Sequence, residues 1–189
     1  MNTLPPTELS VKTFLAHLGS EQPTPGGGAA AALVGAMAAS LGRMNCALTI
    51  GKPKFASVEE TLRPLATRLT RAAAMLQQLI DEDAAAYGEL AEAFKLPRAD
   101  PARAGRIASA AAPATAAPLA TLAISRQVLH DVRSVAAIGN PNLKADMVSA
   151  EHLALAAMSA AEANVRANLG LLADSERVRI EAELMRLTA

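Results

Sequence analysis

One aspartate stands where the surrounding pattern calls for an apolar residue. Leu62, Leu65, Leu69, Ala72, Leu76, Leu79, Asp83, Tyr87, Leu90 and Phe94 recur at alternating steps of three and four, the period of one helix face. The whole stripe is expected to face a core. A carboxylate there must find a partner or shift its pKa. Either outcome suits proton transfer, and a structural ion pair is the competing reading. Asp81 and Glu82 fall off the stripe and are expected in solvent.

A second chemical feature is backbone. In "PTPGGGAAAALVGAMAASLGRMNCALTIGKPKF", Pro23 to Phe55, three glycines (Gly26, Gly27, Gly28) open a long alanine-rich run. Glycines at a helix start expose N–H groups at the positive end of the dipole, with no side chain in the way. A carboxylate, a phosphate or a polar ring edge could rest there; a plain loop is an equal reading. The spacing is not that of a P-loop, and no strand precedes it as a dinucleotide fingerprint requires.

Other polar residues have two readings each. Asp146, near the start of the last long helix, suits the helix dipole. Asn164 and Asn168 lie one turn apart on a face shared with Ala150, Ala157 and Ala161. They form either an interhelical hydrogen-bond pair or a ligand wall. Lys52 and Lys54 follow the glycine-led helix and either face its C-terminal dipole or hold an anion. His17, His130 and His152 are spread over separate helices without metal-ligand spacing, so no metal site is expected. Cys46, the lone cysteine, reads as a small buried hydrophobe and fits a reducing cytoplasm.

Helices must position these groups. A first helix carries Val11, Phe14, Leu15 and Leu18 and stops at Gly19. The second runs from Gly27 or Gly28 to Thr49, with Gly35, Ala39 and Gly42 as a strip for close contact with a neighbour. The third ends at Leu96-Pro97, with Pro64 near its start. Asp100 reads as a cap with Pro101 at the first helical position. Pro113 and Pro118 predict a short helix, a break, and a new helix from Pro118 to Ile138. Gly139-Asn140-Pro141-Asn142 is a loop, Lys144 to Ala173 a long helix, and a short charged helix begins near Ser175.

The 189 residues suit a single domain. Apolar residues make up 51% of the chain but aromatic ones only 2%, which argues against a β-sandwich or barrel. The fold class is therefore all-α, a single-domain bundle of long, close-packed, alanine-rich helices. So much alanine surface suggests burial in a homo-oligomer. A formal net charge of zero without a basic stripe argues against nucleic acid. The opening MNTLPPTELS lacks the pattern of a leader. Ala29 to Gly42 is too short and too weakly apolar to span a membrane, so no membrane partner is expected.

Taken in order, "PTPGGGAAAALVGAMAASL", "NCALTIGKPKF", "DEDAAAYGELAEAFKLPR", "AAPLA", "GNPNLKADMVSA" and "AEANVRANL" resemble the cyclodeaminase/cyclohydrolase family. This family includes stand-alone methenyltetrahydrofolate cyclohydrolases and the C-terminal part of formiminotransferase-cyclodeaminase. The resemblance implies an all-helical, metal-free, homodimeric enzyme acting on a one-carbon unit carried by tetrahydrofolate; a cytoplasmic location and no cofactor beyond the tetrahydrofolate substrate are expected. It implies catalytic roles for Asp83 and Asp146. It implies substrate binding by Thr24, Pro25, Gly26, Gly27 and Gly28, by Lys52 and Lys54, and by Gly139 and Asn140, with Asn164 and Asn168 added as a ligand wall. Ala145 and Phe55 depart from the serine and tyrosine usual there. The expected reaction is hydrolysis of 5,10-methenyltetrahydrofolate to 10-formyltetrahydrofolate. The alternatives are formiminotetrahydrofolate cyclodeamination with release of ammonia, and a non-catalytic helical folate-binding or assembly protein.

Overall fold

The structure, a computed structural model, describes residues 4–189; residues 1–3, part of the opening segment read above, lie outside the described residues. It contains six α-helices: α1 (Val11–Leu18), α2 (Gly27–Ala47), α3 (Glu59–Lys95), α4 (Arg103–Ile138), α5 (Lys144–Asn168) and α6 (Asp174–Thr188). Among the described residues there is no strand. Helices α2 to α5 form the bundle, with α2 and α4 across a diagonal and α3 and α5 flanking both. Ser10 caps α1 by accepting from the Thr13 N–H at 3.1 Å. The C-terminal α6 packs on α4, where the Arg126 guanidinium donates to the Arg186 and Leu187 carbonyls at 2.8 and 2.9 Å.

Glycines set the closest contact. Gly28, Gly35 and Gly42 are seven residues apart on α2 and meet Asp83, Leu76 and Leu69, seven apart on α3. A Cβ on Gly35 would lie 3.2 Å from Leu76 Cδ1, and one on Gly42 3.0 Å from Leu69 Cδ1. A Cβ on Gly28 would lie 2.0 Å from Asp83 Oδ1. One helix advances seven residues as the other falls back seven, which is antiparallel packing with matched heptads. Leu69 and Leu76 are fully buried knobs in these glycine holes, and trimming either to alanine should cost about 2–5 kcal/mol. Asp83 fills the third hole of the series, where the stripe would otherwise place another leucine.

Two readings of the sequence are corrected. The break expected at Pro113 and Pro118 is absent: α4 is continuous from Arg103 to Ile138. A helical proline leaves the carbonyl four residues back without its donor. For Pro113 that carbonyl belongs to Ser109, which is exposed to water. For Pro118 it belongs to buried Ala114, and there Asn168 Nδ2 of α5 donates at 2.9 Å. The neighbouring helix thus supplies the bond that proline removed. The second correction concerns the α3 stripe, which does not stay in the core. Tyr87 and Phe94 are each 41% exposed.

Smaller differences are local. Helix α2 ends at Ala47, two residues before Thr49, whose hydroxyl donates back to the Asn45 carbonyl at 2.6 Å. Asp100 accepts from the Ala102 N–H at 2.8 Å and closes the turn before α4, so Pro101 precedes the helix. Helix α4 is long and apolar enough to cross a bilayer by length and composition alone; here its buried face packs on α2, α3 and α5.

Candidate functional site

At the N-terminal end of α2 the bundle opens into a cavity of about 530 Å³. Its floor is Gly26, Gly27 and Gly28, and its walls are Asp83, Tyr87, Leu90 and Phe94 of α3 with Asn164 and Asn168 of α5. Steps of four, three and four carry α3 from Asp83 through Tyr87 and Leu90 to Phe94, so one helix face lines a whole wall. Two of the chain's four aromatic residues stand here. Sequence reasoning assigned Tyr87 and Phe94 to the core; their signal was aromatic rarity combined with phase to Asp83.

The glycines are occupied by the protein's own side chains as well as open to the cavity. Gly28 accommodates the Asp83 carboxylate, and a Cβ on Gly27 would lie 3.2 Å from Asn164 Nδ2. The anion at this helix N-terminus is therefore internal: Asp83, hydrogen-bonded by the Ala29 N–H. Burial pushes the Asp83 carboxyl up from 3.8 to about 6, and the Ala29 bond opposes this only in part. Among the described residues no Lys or Arg lines the cavity. The result is a carboxyl that exchanges a proton near neutral pH, beside a channel open to ligand.

Of the two asparagines only Asn168 makes an interhelical hydrogen bond. Asn164 Nδ2 donates to the Ala160 carbonyl of its own helix at 2.8 Å, and Asn168 Nδ2 to Ala114 across to α4. Each amide has one N–H engaged, and both residues line the cavity, where an Oδ1 can serve as acceptor. Thr24 and Pro25 line a different groove, beside His17, Gln22 and Asp81. Asp81 accepts from the Thr7 N–H at 3.0 Å and from its hydroxyl, so it is anchored rather than merely solvated.

A single chain does not bring the remaining sequence-predicted residues to this cavity. Lys52 and Lys54 follow the other end of α2, roughly 30 Å away for a helix of 21 residues. Asp146 lies in the first turn of α5 and is eighteen residues from Asn164, roughly 27 Å of rise. Gly139 and Asn140 belong to that far end and serve the α4–α5 turn. A Cβ on Gly139 would fall 2.4 Å from Asn45 Oδ1. The Asn140 N–H donates to Asn45 Oδ1 at 2.9 Å and Thr49 Oγ1 at 3.1 Å, while its Oδ1 accepts from the Asn142 N–H. These two residues tie the turn to α2, which is a structural task within this chain. Lys54 Nζ lies 4.6 Å from the centre of the Phe55 ring.

Two other buried groups, Asp131 and Cys46, contrast with Asp83. Asp131 of α4 was not singled out from the sequence, although it lies three residues after buried Val128 and four before buried Val135. It is 1% exposed and holds a two-point contact with Arg68 at 2.9 and 2.8 Å. Cys46 is fully buried, and burial pushes its thiol up to about 11, which makes it inert.

The chain is similar to known proteins over nearly its whole length. A family model described as formiminotransferase-cyclodeaminase matches residues 10–185. A methenyltetrahydrofolate cyclohydrolase of Methylorubrum extorquens is 38% identical over 163 residues, covering 84% of this chain and 78% of the relative. A formimidoyltransferase-cyclodeaminase of Mus musculus is 31% identical over 171 residues; 88% of this chain but only 32% of that longer protein is covered. The crystal structure of a formiminotetrahydrofolate cyclodeaminase from Thermotoga maritima superposes with a TM-score of 0.86 at 28% identity, covering 96% of this chain and 89% of that one.

Proposed function

The chain belongs to the formiminotransferase-cyclodeaminase family, and on that premise we propose that it hydrolyses 5,10-methenyltetrahydrofolate to 10-formyltetrahydrofolate. The observation that carries the chemistry is Asp83: a carboxylate without a counter-cation, seated on Gly28 at the wall of a 530 Å³ cavity. The substrate's methenyl carbon bridges N5 and N10 as part of an amidinium cation. Such a carbon is already electrophilic, so the protein must supply charge stabilisation and proton transfer rather than a Lewis acid. On this reading turnover needs neither metal nor cofactor and should survive a chelator.

Asp83 as carboxylate stabilises the bound cation and takes a proton from the attacking water. Oxygen then bonds to the bridging carbon, giving a neutral tetrahedral adduct. Asp83, now a carboxylic acid, returns the proton to N5 as the N5–carbon bond breaks. The hydroxyl proton leaves to solvent, and the formyl group stays on N10. Atoms and charge balance: a cation and water give a neutral formamide and one proton. Tyr87 and Phe94 offer faces for a flat ring, and the Asn164 and Asn168 oxygens accept from its N–H edge.

Hydrolysis is favoured over deamination by the 38% identity with the cyclohydrolase, against 31% and 28% with the mouse and Thermotoga maritima cyclodeaminases. In the formimidoyltransferase-cyclodeaminases roughly two-thirds of the length lies outside the matched part. The purified protein should speed loss of the near-ultraviolet absorbance of methenyltetrahydrofolate over a buffer blank. Binding without decay would indicate a folate-binding protein, and ammonia release from formiminotetrahydrofolate would select the deaminase. We further propose a homodimer working in the cytoplasm, where a buried, unpaired Cys46 stays reduced.

A further inference from the structure

Two prolines interrupt the hydrogen bonding of α4, and their surroundings differ. Pro113 is exposed, and so is Ser109, whose carbonyl it leaves without a helical donor. Pro118 is buried, and the carbonyl it frees belongs to Ala114, 3% exposed. Ala114 lines the Asp83 cavity, and so does Asn168, whose Nδ2 donates to that carbonyl at 2.9 Å. A proline ring inside a helix crowds the carbonyl four residues back. Here the displaced carbonyl meets α5.

This contact does more than repair a helix. A primary amide has an acceptor on one side and donors on the other, and flipping exchanges them. A carbonyl can only accept, so Ala114 holds the nitrogen of Asn168 and leaves Oδ1 able to accept from a ligand. The Ala160 carbonyl holds Asn164 in the same sense at 2.8 Å. Among the described residues, the cavity's polar side chains are these two asparagines, Asp83 and Tyr87. Such a lining is weighted toward acceptors and suits a ring edge that carries N–H groups.

Spacing assigns the asparagines to different parts of that ring. Helix α5 runs antiparallel to α2: its start lies by Asn45, and Asn164 lies by Gly27, next to the Gly28 that seats Asp83. Asn168 is one turn further along, about 6 Å of rise, which carries it past the start of α2 and away from Asp83. In the proposed substrate the reacting bridge between N5 and N10 lies on one side of the pterin. The pyrimidine edge, with its 2-amino and N3 protons, lies on the other. A bridge held at Asp83 therefore sets the amino edge at the level of Asn168.

We propose that Asn168 determines specificity by accepting from the amino-bearing edge of the pterin, and that Pro118 is its positioning residue, emptying the Ala114 carbonyl and so fixing which way the Asn168 amide faces. The identity of the ring rests on the proposed function; the coupling of Pro118 to Asn168 rests on geometry alone.

Calorimetric titration of the whole chain reads the specificity without turnover. 5-Formyltetrahydrofolate carries the same edge, and it should bind about tenfold more tightly than its 2-desamino-2-methyl analogue, which leaves the acceptor unpaired. Asn168→Ala should bind the two within about twofold of each other. A full preference retained in that variant, or a wild type that binds neither compound, overturns the role of Asn168.

Pro118→Ala restores an N–H to α4, draws the Ala114 carbonyl back to the helix axis and lets the Asn168 amide flip. Its Tm should rise by about 3 °C. Its affinity for 5-formyltetrahydrofolate should nevertheless fall about threefold, as the accepting orientation drops to about a third of the population. KM should rise in step, with kcat within about twofold, because the amino edge is held alike in ground and transition states. Pro113→Ala, whose freed carbonyl faces water, should bind as wild type does. In an Asn168→Ala background Pro118→Ala should no longer change affinity. A Tm gain without loss of affinity, or an equal loss in that background or from Pro113→Ala, overturns the positioning role. Stability gives a check independent of any ligand: Asn168→Ala should lower Tm by about 3 °C in wild type but by less than about 1 °C in Pro118→Ala, and equal losses overturn the coupling. If the binding pattern holds while methenyltetrahydrofolate is not hydrolysed, the proposed reaction falls and the roles of Asn168 and Pro118 stand.

Discussion

Two carboxylates point inward in this bundle, and their surroundings make them opposites. Asp131 on α4 is 1% exposed and bound by the Arg68 fork, with Gln127 Nε2 adding a third bond at 3.0 Å. Asp83 on α3 has only the Ala29 N–H to offset burial, and its carboxyl rises to about 6. A buried anion held by a matching guanidinium is fixed in charge and geometry. A buried anion without a counter-cation sits close to the balance between its two protonation states. The first holds helices together, and the second is poised to move a proton. Burial alone does not distinguish a structural acid from a chemical one; the partner does.

The largest test of this contrast exchanges each carboxylate for its amide. Asp83→Asn should lower kcat by about 10²–10⁴-fold while leaving the circular dichroism spectrum and the oligomeric state unchanged. Near-normal turnover would remove Asp83 from the chemistry. The wild-type kcat/KM should itself fall below a pH of about 6, by about tenfold per unit, as the carboxylate that must act as base becomes protonated. Gly28→Ala comes next. Its methyl cannot coexist with Asp83 Oδ1 at 2.0 Å, so the carboxylate must move, and about a 10²-fold loss of kcat is expected from a misplacement of that size.

Asp131→Asn should do the reverse. It leaves the Arg68 contact weakened and costs about 2 kcal/mol of stability in urea unfolding, with kcat within about threefold of wild type. A large catalytic loss without destabilisation would erase the distinction between the two acids. The smallest effect is a slope. Because burial raises the Asp83 pKa from 3.8 to about 6, its contribution favours the fold below 3.8 and is lost as pH rises through about 6. Relative to Asp83→Asn, the wild-type Tm should therefore decline across that window, and parallel curves would show that Asp83 is less buried than its place on the stripe implies.

Much of the scaffold was legible in the sequence. The three-and-four stripe from Leu62 to Leu90 gave α3 and singled out Asp83, because helical periodicity is a property of a single segment. Gly35 and Gly42 announced a close neighbour for the same reason. Pro113 and Pro118 misled, since the substitute donor that keeps Ala114 satisfied is Asn168, more than fifty residues away. Tyr87 and Phe94 misled in the other sense. Their phase is that of the core, but α2 begins only at Gly27, with Gly28 opposite Asp83, so this face of α3 borders a cavity beyond it.

By itself, then, the sequence determined an all-helical chain, the glycine-led start of α2 and an acid in an apolar stripe, all consequences of local period and composition. Only the tertiary structure decided that Asp83 lands on Gly28 without a cation while Asp131 meets Arg68. It also placed Lys52, Gly139 and Asp146 at the opposite end of the bundle from Asp83. Those outcomes depend on the register between helices, which loop lengths and the matched heptads of glycine and leucine set jointly, and which no single segment encodes.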